Sequence, residues 1–590
     1  MATADNPILN TPYAEPERHY ATDTQGNLNY KDVRDGRRVF TPDVPQVPVG
    51  QQAQGSMFDL NDLKADYGEH LVNQLREQIR DWRQSGYRGI TSRVTRDLLG
   101  YWFANPERAP HQKLFFAQQE AVETAIWLNE LAEKSNSGTH ILNQLRQRQA
   151  TAGDNPADQL PRYAFKMATG AGKTVVMACL ILYHYLNRRE YRNDTRYCDY
   201  FLVVAPGITI RDRLKVLIPD ARHDSPQDAQ DYYRQRYLLP PAYRAALSEL
   251  THRLIVTNYH EFLPRLLSGN KKTPFDGKLG ADGSKVKSCE DENLVLRRVL
   301  GSFKPGRRLL VINDEAHHCY QRRPAPAADE TIDALTGDEK TEAKTRDDAA
   351  RQWLSGLRAV QAKLGVRTVY DLSATPFFLN GSGYSEGTLF PWVVSDFGLI
   401  DAIEAGLVKI PRVPVEDDTT NPDEDPTYRT LWARIRDSLP KKGRKTDAVT
   451  GEPRLPAALQ GALHSLYANY ARSYQAWETS DAAAAGAAPP VFIVVCNNTN
   501  VSKLVFDYLA GWAKPLEDGA EDGATVVVPG ALPLFSNEHA GGWADRPVSI
   551  LVDSQALDSG EAMSPEFKRA AAVEGDRSKA EDVARLPGAD

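Results

Sequence analysis

The chain has 590 residues, of which 41% are hydrophobic and 25% charged, with a net charge of −7. This length predicts three or four folded units with ample core material, and the composition excludes a disordered or fibrous chain. The acidic balance offers no bulk attraction to nucleic acid, so any such contact has to be made by a local groove.

No run of about 18 apolar residues occurs, so no membrane span is predicted. Met1–Asn10 lacks the basic-then-apolar grading of a secretory signal. Cys179, Cys198, Cys289, Cys319 and Cys496 are scattered without close pairs. That spacing predicts a reducing, cytoplasmic setting and neither a disulfide framework nor a zinc ribbon.

In chain order, residues 1–60 read as an extended arm rich in Pro, Asp, Arg and Gly. Between Leu60 and Phe103 the apolar spacing turns helical, through Leu71, Leu75, Ile79 and Trp82. Together these predict an N-terminal arm and helical accessory region over 1–109. Leu114–Leu131 continues as an amphipathic helix. From Arg162 the rhythm changes to short apolar runs ending in turn residues: Tyr163–Met167, Tyr200–Val204, Arg253–Val256, Leu309–Ile312 and Thr368–Leu372. Helical segments follow most of them, among them Val175–Leu186 and Arg211–Leu217. Buried strands alternating with helices predict a parallel sheet covered on both faces, here an α/β domain over 110–410.

Residues 411–456 read as a linker with one helical patch. A helix with an apolar face at Leu459, Leu463 and Leu466 opens a second α/β unit over 457–590. Within it Asp481–Pro490 reads as a mobile loop and Val491–Cys496 as a buried strand. Ser502–Trp512 reads as a helix, and Ala524–Val528 and Val548–Val552 as further strands. The reading leaves this unit unfinished at Asp590.

Two motifs carry chemistry. Met167-Ala-Thr-Gly-Ala-Gly-Lys-Thr174 stands between a predicted strand and a predicted helix. There Thr169, Gly170, Ala171 and Gly172 can curve so that successive N–H groups face phosphates at a helix N-terminus. Lys173 supplies a point charge to the β- and γ-phosphates of ATP, and the Thr174 hydroxyl joins the shell of a Mg²⁺ ion. Met167 stands where the pattern has Gly or Ala. The second motif, Leu309-Leu-Val-Ile-Asn-Asp314-Glu315-Ala-His317, ends a strand in two acids, at the edge of the sheet where α/β sites lie. Asp314 is assigned to orient Mg²⁺ and Glu315 to polarise the attacking water.

With both motifs in this order, the chain resembles a DEAD/DEAH-box superfamily 2 protein, most of all the restriction (Res) subunit of type III restriction enzymes. Asp371-Leu-Ser373-Ala374-Thr375-Pro376 matches the Ser-Ala-Thr motif that couples nucleotide state to nucleic-acid grip in that superfamily. Val203-Val-Ala-Pro206-Gly207-Ile-Thr-Ile-Arg211 and Ile255-Val-Thr257-Asn258-Tyr259-His260 are similar to its strand-contacting segments. Phe115-Phe-Ala-Gln118-Gln-Glu-Ala121 resembles its adenine-reading segment, with Gln118 as the reader and Gln119 as a rival. Phe492–Thr499 and Ile550–Glu561 are similar to parts of its second motor domain.

The resemblance implies a P-loop, RecA-like α/β fold, with a parallel sheet flanked by helices. A helical N-terminal extension precedes it and a second, incomplete RecA-like domain follows. It implies ATP and Mg²⁺ as cofactors, DNA as partner, and a modification methyltransferase subunit as a second partner. The implied activity is that of an ATP-driven DNA translocase or helicase subunit of a type III-like restriction endonuclease. The late Gln-x-x-Gly-Arg-x-x-Arg segment of the superfamily has no counterpart here, which leaves open a fragment that binds ATP and DNA without turnover. A repair or RNA helicase unrelated to restriction stays open too.

Lesser features read blandly. His317, His318 and Cys319 are too close in sequence for zinc. His317 is expected to link the acidic box to Ser373 and Thr375, with His318 and Cys319 structural. Asp417–Asp425 and the triplet Glu342-Ala-Lys344 read as solvated coil, and the basic run Lys441, Lys442, Arg444 and Lys445 reads as exposed interdomain coil, with contact to nucleic-acid phosphates as its alternative.

Overall fold

The computed structural model describes residues 7–22, 28–41, 70–151, 160–223, 225–267, 288–304, 308–319, 353–377, 389–409, 430–439, 452–496, 499–515 and 525–552. The readings at 342–344, 417–425, 441–445 and 553–561 lie outside these residues. The chain divides into two compact units, 1–410 and 411–590.

The first unit is built on a six-stranded sheet. Its strands are β3 (Arg162–Met167), β4 (Tyr200–Ala205), β5 (Leu254–Asn258), β6 (Leu309–Asp314), β7 (Val366–Ser373) and β8 (Val393–Phe397). They lie in the order β5-β4-β6-β7-β3-β8, and each neighbouring pair is parallel. The five aliphatic runs read from the sequence are all strands. The sixth, β8, was not anticipated, because Ser395 and Asp396 interrupt its apolar run.

Side chains alternate between two cores. Phe201, Val203, Leu310, Ile312, Tyr370 and Leu372 face one cluster, while Leu202, Val204, Leu309, Val311 and Val369 face the other. The first face is covered by α1 (Leu71–Gln84), α2 (Arg93–Phe103), α3 (Phe116–Glu130), α4 (Asn136–Thr151) and α5 (Lys173–Glu190). Helix α5 is buried continuously from Val175 to Asn187. The second face is covered by α6 (Glu292–Leu300) and by the helical stretch 353–364. Covering both faces is what makes an all-parallel sheet stable, because neither side of its hydrophobic strands meets water.

Helices α1 and α2, expected in an accessory region, share one core with α3 and α5. The N-terminal arm contains an antiparallel hairpin, β1 (Arg18–Thr22) with β2 (Leu28–Asp35). Leu9 and Asn10 donate backbone hydrogen bonds to Glu404 O, and Tyr20 N donates to the Glu404 carboxylate, in the helix α7 (Leu399–Glu404) after β8. Arg37 then forms a bidentate pair with Glu120 of α3, in which both side chains are largely buried. The arm is thereby tied to the sheet through charge and backbone pairing that no apolar periodicity reveals.

The second unit contains α8 (Leu431–Ile435), α9 (Ala457–Glu478) and α10 (Thr499–Ala510) around a core of Leu459, Leu463, Val501, Leu504, Val505, Leu532 and Phe535. Among the described residues its strands pair antiparallel: β9 (Gly511–Pro515) with β10 (Thr525–Pro529), and β11 (Glu538–His539) with β12 (Gly542–Trp543). Residues 491–496, expected as a buried strand, form no strand among the described residues. Val491, Ile493 and Val495 are exposed, whereas Phe492, Val494 and Cys496 pack on the core. The run of apolar residues is real, but only one of its two faces is covered. Val548–Val552, expected as a further strand, is irregular too, with a bend at Val548 and with Val548, Ile550 and Val552 exposed. Asp481–Ala484, expected in a loop, is a short helix capped by Ser480.

Candidate nucleotide site

Because the six strands are parallel, Met167, Ala205, Asn258, Asp314 and Ser373 all stand at the same, carboxyl edge of the sheet, where α/β folds bind ligands. The loop after β3 turns on Gly170 and Gly172, with φ of 87° and 88°. This is left-handed backbone that glycine adopts without a Cβ clash. Gly172 is required twice over, since a Cβ there would stand 2.0 Å from Gln118 Nε2. It is the N-cap of α5, so the free N–H groups of the first turn open at the loop, with Lys173 and Thr174 as its first residues. Thr169 and Gly170 are exposed, while Ala171 is buried.

Gln118 braces this loop. Its Nε2 donates to Ala171 O at 3.2 Å and its Oε1 accepts from Phe115 N at 3.0 Å. Gln119, the rival, bonds Tyr87 and Glu123 instead. Between the two glutamines, Gln118 is the one that touches the P-loop.

The acidic box faces the loop. Lys173 Nζ lies 3.1 Å from Glu315 Oε1. Glu315 holds a left-handed backbone, φ 48° and ψ 50°, which is rare for a residue with a side chain and is concentrated at functional sites. Asp314 is buried, and its Oδ1 has no hydrogen-bond partner among the described residues. Burial first, then the neighbouring Glu315, push its carboxyl up to about 6, against the pull of Lys173. An orphaned, desolvated carboxylate oxygen beside a lysine and a helix N-terminus fits a divalent cation carrying phosphate oxygens.

His317 Nδ1 is hydrogen-bonded to Ser373 Oγ at 2.9 Å and lies 3.5 Å from Glu315 Oε2. Burial lowers the His317 pKa, which favours the neutral ring. Ser373 Oγ also accepts from Thr375 N, so the Ser-Ala-Thr segment and the acidic box are joined through one imidazole. Ala374 is half-buried and Thr375 exposed. Among the described residues no group of three or more His, Cys, Asp and Glu side chains could hold a metal.

The expected strand-contacting residues are less uniform. Pro206, Gly207 and Arg211 are half-buried at the end of β4, where Arg211 pairs with Asp212 at 2.9 Å. Thr257 and Asn258 are buried, and Asn258 spends its side-chain oxygen capping the turn that follows, accepting from Glu261 N.

Sequence reasoning passed over the residues beneath the site. Asp371, fully buried in β7, accepts from Arg162 Nε at 2.6 Å, Asn313 Nδ2 at 2.8 Å and Trp392 Nε1 at 2.9 Å. Arg162 also donates to Cys319 O, just past the acidic box. One carboxylate therefore ties together the strand before the P-loop, the strand of the acidic box and the strand of the Ser-Ala-Thr segment. A polar residue inside each of three apolar runs was the available signal.

No curated protein and no solved structure matches the chain. A family model does match, described as type III restriction enzyme, res subunit, over residues 112–378. That span holds Gln118, the P-loop, both half-buried and buried strand-end segments, the acidic box and Ser373–Thr375. The match covers less than half of the chain, and it implies a helicase-like motor of the superfamily 2 type in residues 112–378.

Proposed function

We infer that the first unit binds Mg²⁺-ATP at Thr169–Thr174 and hydrolyses it in response to DNA, as the motor portion of a type III-like restriction endonuclease. The observation that carries the reading is the apposition of Lys173 and Glu315 at 3.1 Å across the carboxyl edge of one parallel sheet. The N–H groups of the first turn of α5 receive phosphate, and Lys173 leaves Glu315 to neutralise the terminal phosphates. Gln118, against the loop, is the adenine reader. Thr174 and Asp314 hold the Mg²⁺ ion, which when bound screens the phosphate charge and orients the γ-phosphate.

Glu315, released from Lys173, accepts the proton of the attacking water. His317 with Ser373, Ala374 and Thr375 relays the change in the acidic box. Pro206, Gly207 and Arg211 supply the DNA-facing edge, with Thr257 and Asn258 shaping it from behind rather than reaching the backbone themselves. A modification methyltransferase subunit is the partner that the family implies for such a motor.

Phosphate release measured with no nucleic acid, with duplex DNA, with single-stranded DNA and with RNA tests this reading. It expects duplex DNA to raise the rate at least tenfold over the unstimulated chain. Preferential stimulation by RNA would favour an RNA motor instead, and no hydrolysis above background with any of the three would leave a binding protein.

A further inference from the structure

Among the described residues, one aromatic side chain joins the segment expected to meet nucleic acid to the acidic box. Tyr259, directly after Thr257 and Asn258 at the end of β5, stacks on Trp353 with ring centroids 5.5 Å apart and planes within 8°. Trp353 is fully buried at the start of the helical stretch 353–364. Its indole Nε1 donates to Asn313 Oδ1 at 3.2 Å. Asn313 is the residue before Asp314, fully buried, and its Nδ2 donates to Asp371 Oδ1 at 2.8 Å.

The orientation of the Asn313 amide follows from chemistry. An indole N–H can only donate and an ionised carboxylate can only accept, so the oxygen must face Trp353 and the nitrogen Asp371. Turning the amide over would break both bonds inside a fully buried core, where losing them is costly. Asn313 is thus locked from both sides, and the backbone that carries Asp314 and Glu315 is locked with it. Tyr259 therefore bears on Trp353 through the ring stack, and Trp353 on Asn313 through the hydrogen bond.

We propose that Trp353 is a positioning residue that transmits nucleic-acid binding, at the edge that Thr257 and Asn258 back and Tyr259 adjoins, to the acidic box at Asp314 and Glu315, through the Tyr259 stack and the Asn313 hydrogen bond. The proposal rests on the DNA-dependent motor reading given above. It adds a route separate from the His317–Ser373 contact.

Trp353→Phe in the full chain tests it, because phenylalanine keeps a ring for Tyr259 to stack on but removes the N–H. The readouts are kcat and KM for ATP, each with and without saturating duplex DNA. The expected result is a loss of at least fivefold in DNA stimulation, with DNA-free kcat and KM within twofold of the wild type. A merely structural role would instead lower the DNA-free and the stimulated rates together, and that result overturns the proposal.

In a cycle with Tyr259→Leu, the double variant should lose no more stimulation than the worse single variant, because both changes cut one link. Independent, additive losses overturn it as well. Where Trp353→Phe does not fold, Tyr259→Leu must by itself lose the stimulation at DNA concentrations that saturate binding, and full stimulation in that variant counts against the link. A wild-type chain that DNA does not stimulate contradicts the motor reading and removes the proposal with it. A stimulated wild type with an equally stimulated Trp353→Phe overturns the proposal alone.

Discussion

Glu315 and Gly172 both sit in left-handed backbone, and the contrast between them explains their chemistry. Gly172 takes this conformation freely, whereas Glu315 holds it at a cost of about 1–3 kcal/mol. The strained residue is the one whose carboxylate must reach Lys173, so the strain is located at the reacting end of the box. At Gly172 the requirement is steric as well as conformational. Gly172→Ala is expected to destabilise the first unit by about 2 kcal/mol or more, since left-handed backbone alone costs about 1–2 kcal/mol with a Cβ present. It should also weaken ATP binding at least tenfold, measured by titration with a fluorescent ATP analogue. Adding Gln118→Ala should recover part of the lost stability, because the clash with Nε2 disappears while the positive φ remains. No recovery would show that the Gln118 contact is not what confines position 172.

At the scale of elements, the sheet is held by polar residues that its apolar pattern does not announce. Arg162, Asn313, Asp371 and Trp392 bring strands β3, β6, β7 and the start of β8 to one buried carboxylate. Asp371→Ala leaves Arg162 buried without its counter-charge and is expected to cost about 3–5 kcal/mol in urea denaturation. Arg162→Met with Asp371→Leu should cost clearly less than the single change, since no orphaned charge is left. Equal losses would mean that packing rather than charge pairing dominates there. Strands β3 to β7 could be read in advance because their aliphatic runs are long and end in turn residues. Strand β8 could not, as Asp396 inside it is balanced by Arg76 at 3.2 Å and Lys166 at 3.1 Å. Hydropathy is blind to such pairings, and the hairpin β1–β2, anchored through Glu404, escaped for the same reason. The opposite failure occurred at Val491–Cys496, where hydropathy counts apolar residues but cannot say whether one face or two is covered. The P-loop and acidic box were legible residue by residue because their chemistry is local. The Asp371 network was not, because residues that hydrogen-bond within it, such as Arg162 and Asp371, lie as far as 209 positions apart.

For the whole molecule, the division at 410 and 411 predicts that residues 1–410 fold alone, with one cooperative unfolding transition and ATP affinity within about threefold of the full chain. No helix among the described residues is long and apolar enough to cross a membrane. Acid should weaken the first unit for an identifiable reason. Burial holds His184 down at about 3, and burial together with the charges of Arg148 and Arg76 holds His70 at about 4. Both folded-state values lie below the ordinary 6.5, so protonation favours the unfolded chain. The stability they permit is complete above about pH 6.5 and is lost as pH falls toward the folded values. At about 1.4 kcal/mol per pH unit, His184 alone costs about 2–3 kcal/mol by pH 4.5. His184→Leu should therefore flatten the fall of the melting midpoint between pH 6.5 and 4.5, and an unchanged slope would contradict a buried neutral imidazole.

The central claim is that the Lys173–Glu315 apposition is a hydrolytic site and not only a phosphate cradle. It is tested most directly by measuring ATP binding and DNA-stimulated phosphate release in parallel for the wild type, Glu315→Gln and Lys173→Ala. Glu315→Gln should bind ATP within about threefold of the wild type while turnover falls by about 10²-fold or more, and Lys173→Ala should lose both. Turnover that survives both substitutions would contradict the account.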